Sequence, residues 1–236
     1  MKKKEIACAI SQPNYIPWVG YFSLIKNVDI FVFLDDVKYI KREWKNRNKI
    51  RKSKDSHEFK WLSISIDKVN QEKNLNECKI FDNLNWRDQH LNSIIDVYAK
   101  TPYFDNYFRE IESIIKSKHL NNLAAFNIYL INYFCEILNI KTKKLKSSEL
   151  NCEGTKDIKL IALCNEINAK KYIANNKSKI YINEENFRKN NIILEYQNYN
   201  LKEYSQFSDK KKLKYIPYLS IIDLIFNHGN ESCNYL

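Results

Sequence analysis

Glu5 to Ile10, apolar from Ile6 onward, reads as a short buried strand. Pro13 and Pro17 stop it from continuing into a helix, because neither has an N–H and each restricts the residue before it. From Trp18 to Asn27 the apolar residues Trp18, Tyr21, Phe22 and Ile25 return at helical spacing. Val28 to Leu34 is then apolar but for Asp29 and rich in aromatic and β-branched side chains, as in a strand covered on both faces, and it stops at Asp35 and Asp36. Strand, loop, helix, strand is the opening unit of a parallel α/β sheet, whose site lies beyond the carboxyl ends of the strands.

Beyond this unit, Phe59 to Ile66 alternates as a strand does, and Asp67 to Asn76 is polar loop. Apolar residues recur at three and four from Asn85 to Lys100, from Tyr103 to His119 and from Leu123 to Leu138, with Pro102 separating the first two helices. Ile140 to Leu145 reads as a strand, and Thr155 to Ile167 as a helix that follows Gly154. Lys171 to Ala174 is a strand entering the polar loop Asn175 to Ser178; Glu184 to Lys189 is a short helix and Ile192 to Tyr196 a further strand. Leu219 to Phe226, the most apolar late segment, is expected as a helix packed against the sheet. The pattern predicts an α/β fold: one domain over residues 1–236, built on a Rossmann-like parallel sheet, with a largely helical insertion over about 85–138.

At 44% hydrophobic residues over 236 positions, the chain buries a core without disulfide staples. Thirty-nine Lys and Arg against 28 Asp and Glu leave a formal charge of +11, which points to an anionic partner: nucleic acid, nucleotide, coenzyme phosphate or acidic glycan. The lysines are dispersed along the chain, as a solvated surface also requires. Six scattered cysteines with no CxxC pair argue against a zinc site. No signal-peptide pattern and no apolar run long enough for a transmembrane segment is visible, so the expectation is a cytoplasmic chain with reduced thiols.

Asp35 and Asp36 close a strand at the edge where α/β folds place their sites, and a carboxylate there acts as a general base, binds a cation or holds a ribose. The plainer role is to cap a turn. Two adjacent acids are costly to hold together without a cation, which directs attention to Arg42 and Arg47, whose guanidinium forks suit phosphate or carboxylate. Trp44 lies between them, and Asn46 and Asn48 add directional hydrogen bonding. Lys38, Lys41, Lys45 and Lys49 in the same stretch read as solvated surface. Gln12, Asn14 and Tyr15 sit in the proline-stiffened loop after the first strand, which presents them to a ligand or uses them in ordinary turn chemistry. His90 follows Trp86 and Arg87 on a helix and by itself reads as structural. Asp223, by its spacing on the late apolar helix, is a core-facing hydrogen-bonding group. No Walker loop or GxGxxG occurs in a chain with three glycines.

Five stretches together resemble the WbqC-like protein family of bacteria: QPNYIPWVGYF (Gln12 to Phe22), FVFLDDVKYIKREWKNRNKI (Phe31 to Ile50), WRDQH (Trp86 to His90), YAKTPYF (Tyr98 to Phe104) and LSIIDLIFNHG (Leu219 to Gly229). They fall in the family's order from one end of the chain to the other. Where many members carry His before the QPNY element this chain has Ser11, so no histidine base is expected there. Where members often have a glycine-containing loop it reads Asn175, Asn176 and Lys177.

The resemblance implies a role in synthesis of O-antigen, lipopolysaccharide and other surface polysaccharides, and, from one member proposed as a glycine transferase, the transfer of an aminoacyl group to an amino sugar. Taken with the residue reading above, it points to Asp35 or Asp36 as the base, with Gln12, Asn14, Tyr15, Arg42, Trp44, Asn46, Arg47, Asn48 and His90 as substrate-binding residues. The partner expected is a nucleotide-linked amino sugar. An aminoacyl-tRNA, which suits the basic charge, or an adenylate made from ATP would supply the activated acyl group. The alternatives are a non-catalytic nucleotide-sugar or glycan-binding module, an adenylate-forming amide ligase and, ranked last, RNA binding as the main function, since no RNP-like interleaving of aromatic and basic residues is evident along the chain.

Overall fold

The computed structural model describes residues 5–208 and 211–236. In chain order its strands are β1 (Ala7–Ser11), β2 (Ile30–Phe33), β3 (Arg47–Arg51), β4 (Phe59–Ser63), β5 (Lys143–Lys146), β6 (Lys171–Ala174), β7 (Ile193–Tyr196), β8 (Gln206–Ser208) and β9 (Lys211–Leu213). The α-helices are α1 (Val19–Lys26), α2 (Trp86–Tyr98), α3 (Phe104–Lys116), α4 (Leu123–Ile137), α5 (Lys156–Glu166), α6 (Glu184–Lys189) and α7 (Ile221–His228). Two compact units result. The first takes the described residues up to Gln12 with Ser23–Asp36 and Ile140–Asn200; the second takes Pro13–Phe22, Val37–Asn139 and the described residues of Leu201–Leu236.

The first unit is a five-stranded sheet in the order β5-β2-β1-β6-β7 with every pairing parallel. This is the Rossmann-like α/β architecture expected from the sequence. Its core joins Cys8, Ile10 and Val32 to Leu163 and Cys164 of α5 and to Tyr172, Ala174 and Phe187. Tyr172 and Phe187 stack with ring centroids 5.5 Å apart. The chain builds outward from β1 through β2 to β5, then returns to lay β6 on the other side of β1, so the topological switch point lies between β1 and β6. Register fixes what emerges at the carboxyl edge. Ser11 pairs with Phe33, and Phe33 with Lys146, so Gln12, Asp35 and Ser147 leave their strands on the same side of the sheet. Past β6, Asn175 caps a 3₁₀ turn, Asn176–Ile180, by accepting from Lys177 N at 2.9 Å.

The second unit packs α2, α3, α4 and α7 with two antiparallel hairpins, β3–β4 and β8–β9. Helix α2 buries Trp86, Arg87, His90, Leu91, Ile94, Val97 and Tyr98, the stripe that helical periodicity dictates. Helix α4 starts at Asn122, whose side chain accepts from Ala125 N at 2.9 Å. The sequence pattern put the Leu219 to Phe226 helix on the parallel sheet; α7 belongs instead to this unit, packed against α3 and β8. Three strands escaped the pattern. β3 reads RNKIR, with one apolar residue in five, and β8 and β9 are three residues each.

The backbone of the Pro13 to Pro17 loop is the point where this unit's elements meet. Ile16 adopts φ 34°, a left-handed conformation that a β-branched residue rarely takes. Asn48 on β3 holds it there: its Nδ2 donates to Tyr15 O at 2.9 Å and to Ile16 O at 2.8 Å, while its Oδ1 accepts from Lys49 N at 2.8 Å. Tyr15 N donates to Trp44 O, Asn127 of α4 donates to Pro13 O, and Ile221 N at the start of α7 donates to Pro17 O. Gly20 allows the next step, because a Cβ there would lie 2.3 Å from the Trp18 indole. Removing the clamp leaves buried backbone groups unpaired, each at about 1–3 kcal/mol. We therefore expect Asn48→Ala to lower unfolding free energy by about 3 kcal/mol, read as a reduced urea midpoint at unchanged slope.

Candidate functional site

At the carboxyl edge of the parallel sheet the two acids differ in what they have left to offer. Asp35 is 3% exposed. Its Oδ1 accepts from Ser148 N at 3.0 Å and lies 3.1 Å from Ser147 Oγ, and its Oδ2 accepts from Ser148 Oγ at 2.8 Å. Asp35 thus ties β2 to the turn after β5. Asp36 has a side chain 19% exposed, with Oδ2 2.5 Å from Lys159 Nζ and Oδ1 2.5 Å from Ser147 Oγ. The Ser147 hydroxyl accepts from Asp35 N at 3.1 Å and has one proton, which it donates to one carboxylate at a time. Lys159 also donates to Cys152 O at 3.2 Å. Asp36 is therefore the acid a ligand can reach, beside a fixed cation. The serines were missed, although the pair SS, one residue past the strand read from Ile140 to Leu145, stands where α/β folds collect polar groups.

The remaining candidates, Gln12 apart, belong to the second unit. Tyr15 is fully buried and its hydroxyl lies 2.9 Å from His90 Nδ1. His90 Nε2 lies 3.2 Å from Ser63 O, which only accepts, so Nε2 carries the proton and the Tyr15 hydroxyl donates to Nδ1. Burial pulls the His90 imidazole down to about 4 and raises the Tyr15 phenol well above its ordinary range. Both are held neutral. Asn46 donates to Ile64 O at 3.2 Å and leaves its buried Oδ1 without a partner; Asn48 is the backbone clamp. Asn14 is half-buried, and Arg42 is exposed at φ 60°.

Trp44 and Arg47 stand on an open face of the β3–β4 hairpin with Lys49, Phe59 and Trp61. Arg47 Cζ lies 4.2 Å from the Trp61 ring centroid and Lys49 Nζ 4.2 Å from that of Phe59. Phe59 and Trp61 were read only as strand residues; their alternation in FKWLS placed both on one face. Lys38 and Lys41 are solvated as the sequence suggested, but Lys45 is not. It is buried beside Glu43, and burial lowers its pKa against the opposing pull of that carboxylate.

Asp223 forms a third polar centre, facing the core as its spacing indicated. Tyr98 donates to Oδ2 at 2.9 Å, and Tyr204 and Gln206 donate to Oδ1 at 2.9 and 2.8 Å. Arg51 reaches the same group through Gln206 Oε1 and also donates to Lys214 O at 3.1 Å. Burial raises the Asp223 carboxyl, opposed by these hydrogen bonds and by the Arg51 charge. Near it, Tyr103 N donates to Phe226 O at 3.0 Å and the Tyr103 ring lies against Gly229, where φ is +54°. The stretches YAKTPYF and LSIIDLIFNHG thus bind each other.

Residues 12–235 match the WbqC-like protein family. The chain belongs to that family. It is similar to the uncharacterized protein Rv1507c of Mycobacterium tuberculosis, at 30% identity over 230 residues, which are 97% of this chain and 96% of that protein. It is also similar to an uncharacterized protein of Acanthamoeba polyphaga mimivirus, at 27% identity over 139 residues, 58% of this chain and 54% of that one. No solved structure matches it significantly. None of the described helices is long and apolar enough to cross a membrane. The WbqC-like match takes in every candidate residue, from Gln12 at one carboxyl edge to His90 under the hairpin.

For this WbqC-like protein the buried His90 makes a pH prediction. A histidine depressed to about 4 in the folded state but ordinary, near 6.5, when unfolded contributes stability that is complete above pH 6.5 and is lost as pH falls toward 4. That difference is worth on the order of 3 kcal/mol. His90→Gln, which keeps a polar group without the titration, is expected to flatten the dependence of unfolding free energy on pH across this window, measured by urea titration at closely spaced pH values.

Proposed function

We propose that this WbqC-like protein is a transferase of surface-glycan biosynthesis that adds an aminoacyl group, glycyl in the narrower form, to the amino group of a nucleotide-linked sugar. The observation that carries the reading is the unequal pair at the sheet edge: Asp35 is locked into the Ser147–Ser148 turn, while Asp36 remains 19% exposed beside Lys159. A parallel sheet of this order offers a crevice at the carboxyl ends of β1 and β6 for a nucleotide, and Gln12 and Asn175 follow those two strands.

In the reaction the neutral sugar amine attacks the carbonyl carbon of an activated acyl ester. The new C–N bond forms, Asp36 accepts the amine proton as the tetrahedral intermediate loses its leaving oxygen, and the proton then passes to that oxygen. Lys159 and the Ser147 hydroxyl hold the Asp36 carboxylate in one orientation, and Gln12 supplies a polar contact at the same edge. Considered on their own unit, Arg47 and Trp44 suit an anion and a ring. The donor is an aminoacyl-tRNA or an adenylate formed from ATP, and the setting is cytoplasmic.

A second reading is favoured by the ion pair itself. An Asp36 permanently neutralised by Lys159 would serve a non-catalytic nucleotide-sugar-binding module. Nucleotide-linked amino sugars incubated with glycyl-tRNA, or with glycine and ATP, separate the two by product mass. We expect a glycylated sugar, with Asp36→Asn lowering kcat by about 10²- to 10⁴-fold and Arg47→Ala raising KM. Asp35→Asn should act chiefly on stability. Sugar binding by calorimetry with no product from any donor, or full turnover by Asp36→Asn, would remove the catalytic assignment.

A further inference from the structure

The chain does not interleave aromatic and basic residues in sequence, yet the β3–β4 hairpin interleaves them in space. Lys49 pairs directly with Trp61, and the next pair on that face sets Phe59 opposite Arg51, whose side chain turns into the buried Asp223 network. Because side chains alternate across a strand, Arg47 and Lys49 share the face that carries Trp61 and Phe59. Phe59 is 44% and Trp61 38% exposed. The rings run in series: Trp44 to Trp61 at 5.4 Å between centroids, Trp61 to Phe59 at 6.0 Å. Lys49 Nζ lies 5.2 Å from the Trp61 centroid and 5.8 Å from that of Trp44, so one ammonium touches all three rings.

From this face we infer that the β3–β4 hairpin binds single-stranded RNA. Three rings in series give stacking places to successive bases, more than a lone nucleotide fills, and every base has a face to stack. Two cations about 7 Å apart along the strand, from a rise of 3.3–3.4 Å per residue, meet a run of phosphates. The charge of +11 draws such a partner from a distance. A second copy of the chain is a poor occupant, since it would set Arg47 and Lys49 against their own copies. On the transferase reading, on which this last step rests, the RNA bound is the acyl donor, an aminoacyl-tRNA.

The test is fluorescence anisotropy of labelled uridine and adenosine oligonucleotides of about 12 residues and of unacylated tRNA, between about 50 and 200 mM salt, with heparin as a polyanion lacking bases. We expect binding at low salt that falls steeply as salt rises. Replacing Arg47 and Lys49 together by Ala should lower the salt slope by roughly 1.4, because two phosphates are no longer neutralised. Trp61→Ala should weaken binding by about fivefold or more, with Trp61→Phe keeping most of it and both variants unfolding thermally like the parent. The inference is overturned by no RNA binding at low salt, by a folded Trp61→Ala protein that binds as tightly as the parent, or by heparin binding as tightly as RNA in both. Self-association abolished by Trp61→Ala would equally overturn it in favour of a second copy. RNA binding without acyl transfer leaves the RNA face standing and removes only the donor assignment. Acyl transfer from an RNA-free donor by a protein that binds no RNA removes the face and spares the transferase.

Discussion

Ile16 is placed between two prolines in a conformation its β-branched side chain resists, and the cost of such a residue is of order 1–3 kcal/mol. What holds it is the Asn48 amide, which answers Tyr15 O and Ile16 O with its two N–H groups and Lys49 N with its oxygen. The neighbouring carbonyls are answered by other elements: Pro13 O by α4 through Asn127, and Pro17 O by the start of α7. Each bond is worth about 1 kcal/mol made and up to three times that if one partner is deleted. One strained loop is thereby the common acceptor for a strand and two helices of the second unit. Without Asn48 the strain at Ile16 loses the bonds to its own carbonyl and to that of Tyr15.

A second polar centre repeats the logic with a charge in place of strain. Asp223 of α7 is fully buried, and an unpaired carboxylate there would cost several kcal/mol. Tyr98 from α2, Tyr204 and Gln206 supply its hydrogen bonds, and Arg51 at the end of β3 contributes a charge one side chain away. The network joins α2, β3, β8 and α7. It accounts for the two aromatic-rich stretches of the sequence that meet there, and it leaves none of those groups free for a ligand.

The centre of the parallel sheet was legible because a strand covered on both faces is an apolar run: Ile30 to Leu34 announces β2. The α5, β6, α6 and β7 series was legible from its alternation of helical and extended periods, although β5, β6 and β7 carry lysines or a glutamate. The long helices were legible from their three-four spacing, with Pro102 marking the break. β3 was not, because a strand whose inward residues include a clamping asparagine and whose outward residues are cations carries no apolar alternation at all. The same blindness put Lys45 on the surface: its ammonium is buried against Glu43, two residues away, and nothing local separates it from Lys41 or Lys49. Of the candidate residues, Asp35 and Asp36 stand at the carboxyl edge of the parallel sheet, where the sequence put them. It had no means of ranking them, since the ranking comes from Ser147, Ser148 and Lys159, more than 100 residues away.

These two observations about β3 have one cause. A strand has two faces, and a slip of one residue exchanges them completely. In RNKIR the inward places hold Asn48 and Ile50, and the outward places hold Arg47 and Lys49, while Arg51 at the strand end is buried in the Asp223 network. Slipping by one would bring both cations inward without partners and turn the clamp to solvent, so the buried cost of two charges adds to the released strain at Ile16. Register is therefore specified by polar chemistry where hydrophobic patterning is absent. The strand that must aim Asn48 at the loop must also aim Arg47 and Lys49 at Trp61 and Phe59 on the opposite side. The open aromatic and cationic face is the outer surface of the element that holds the loop in place, and so its geometry is as fixed as the core behind it.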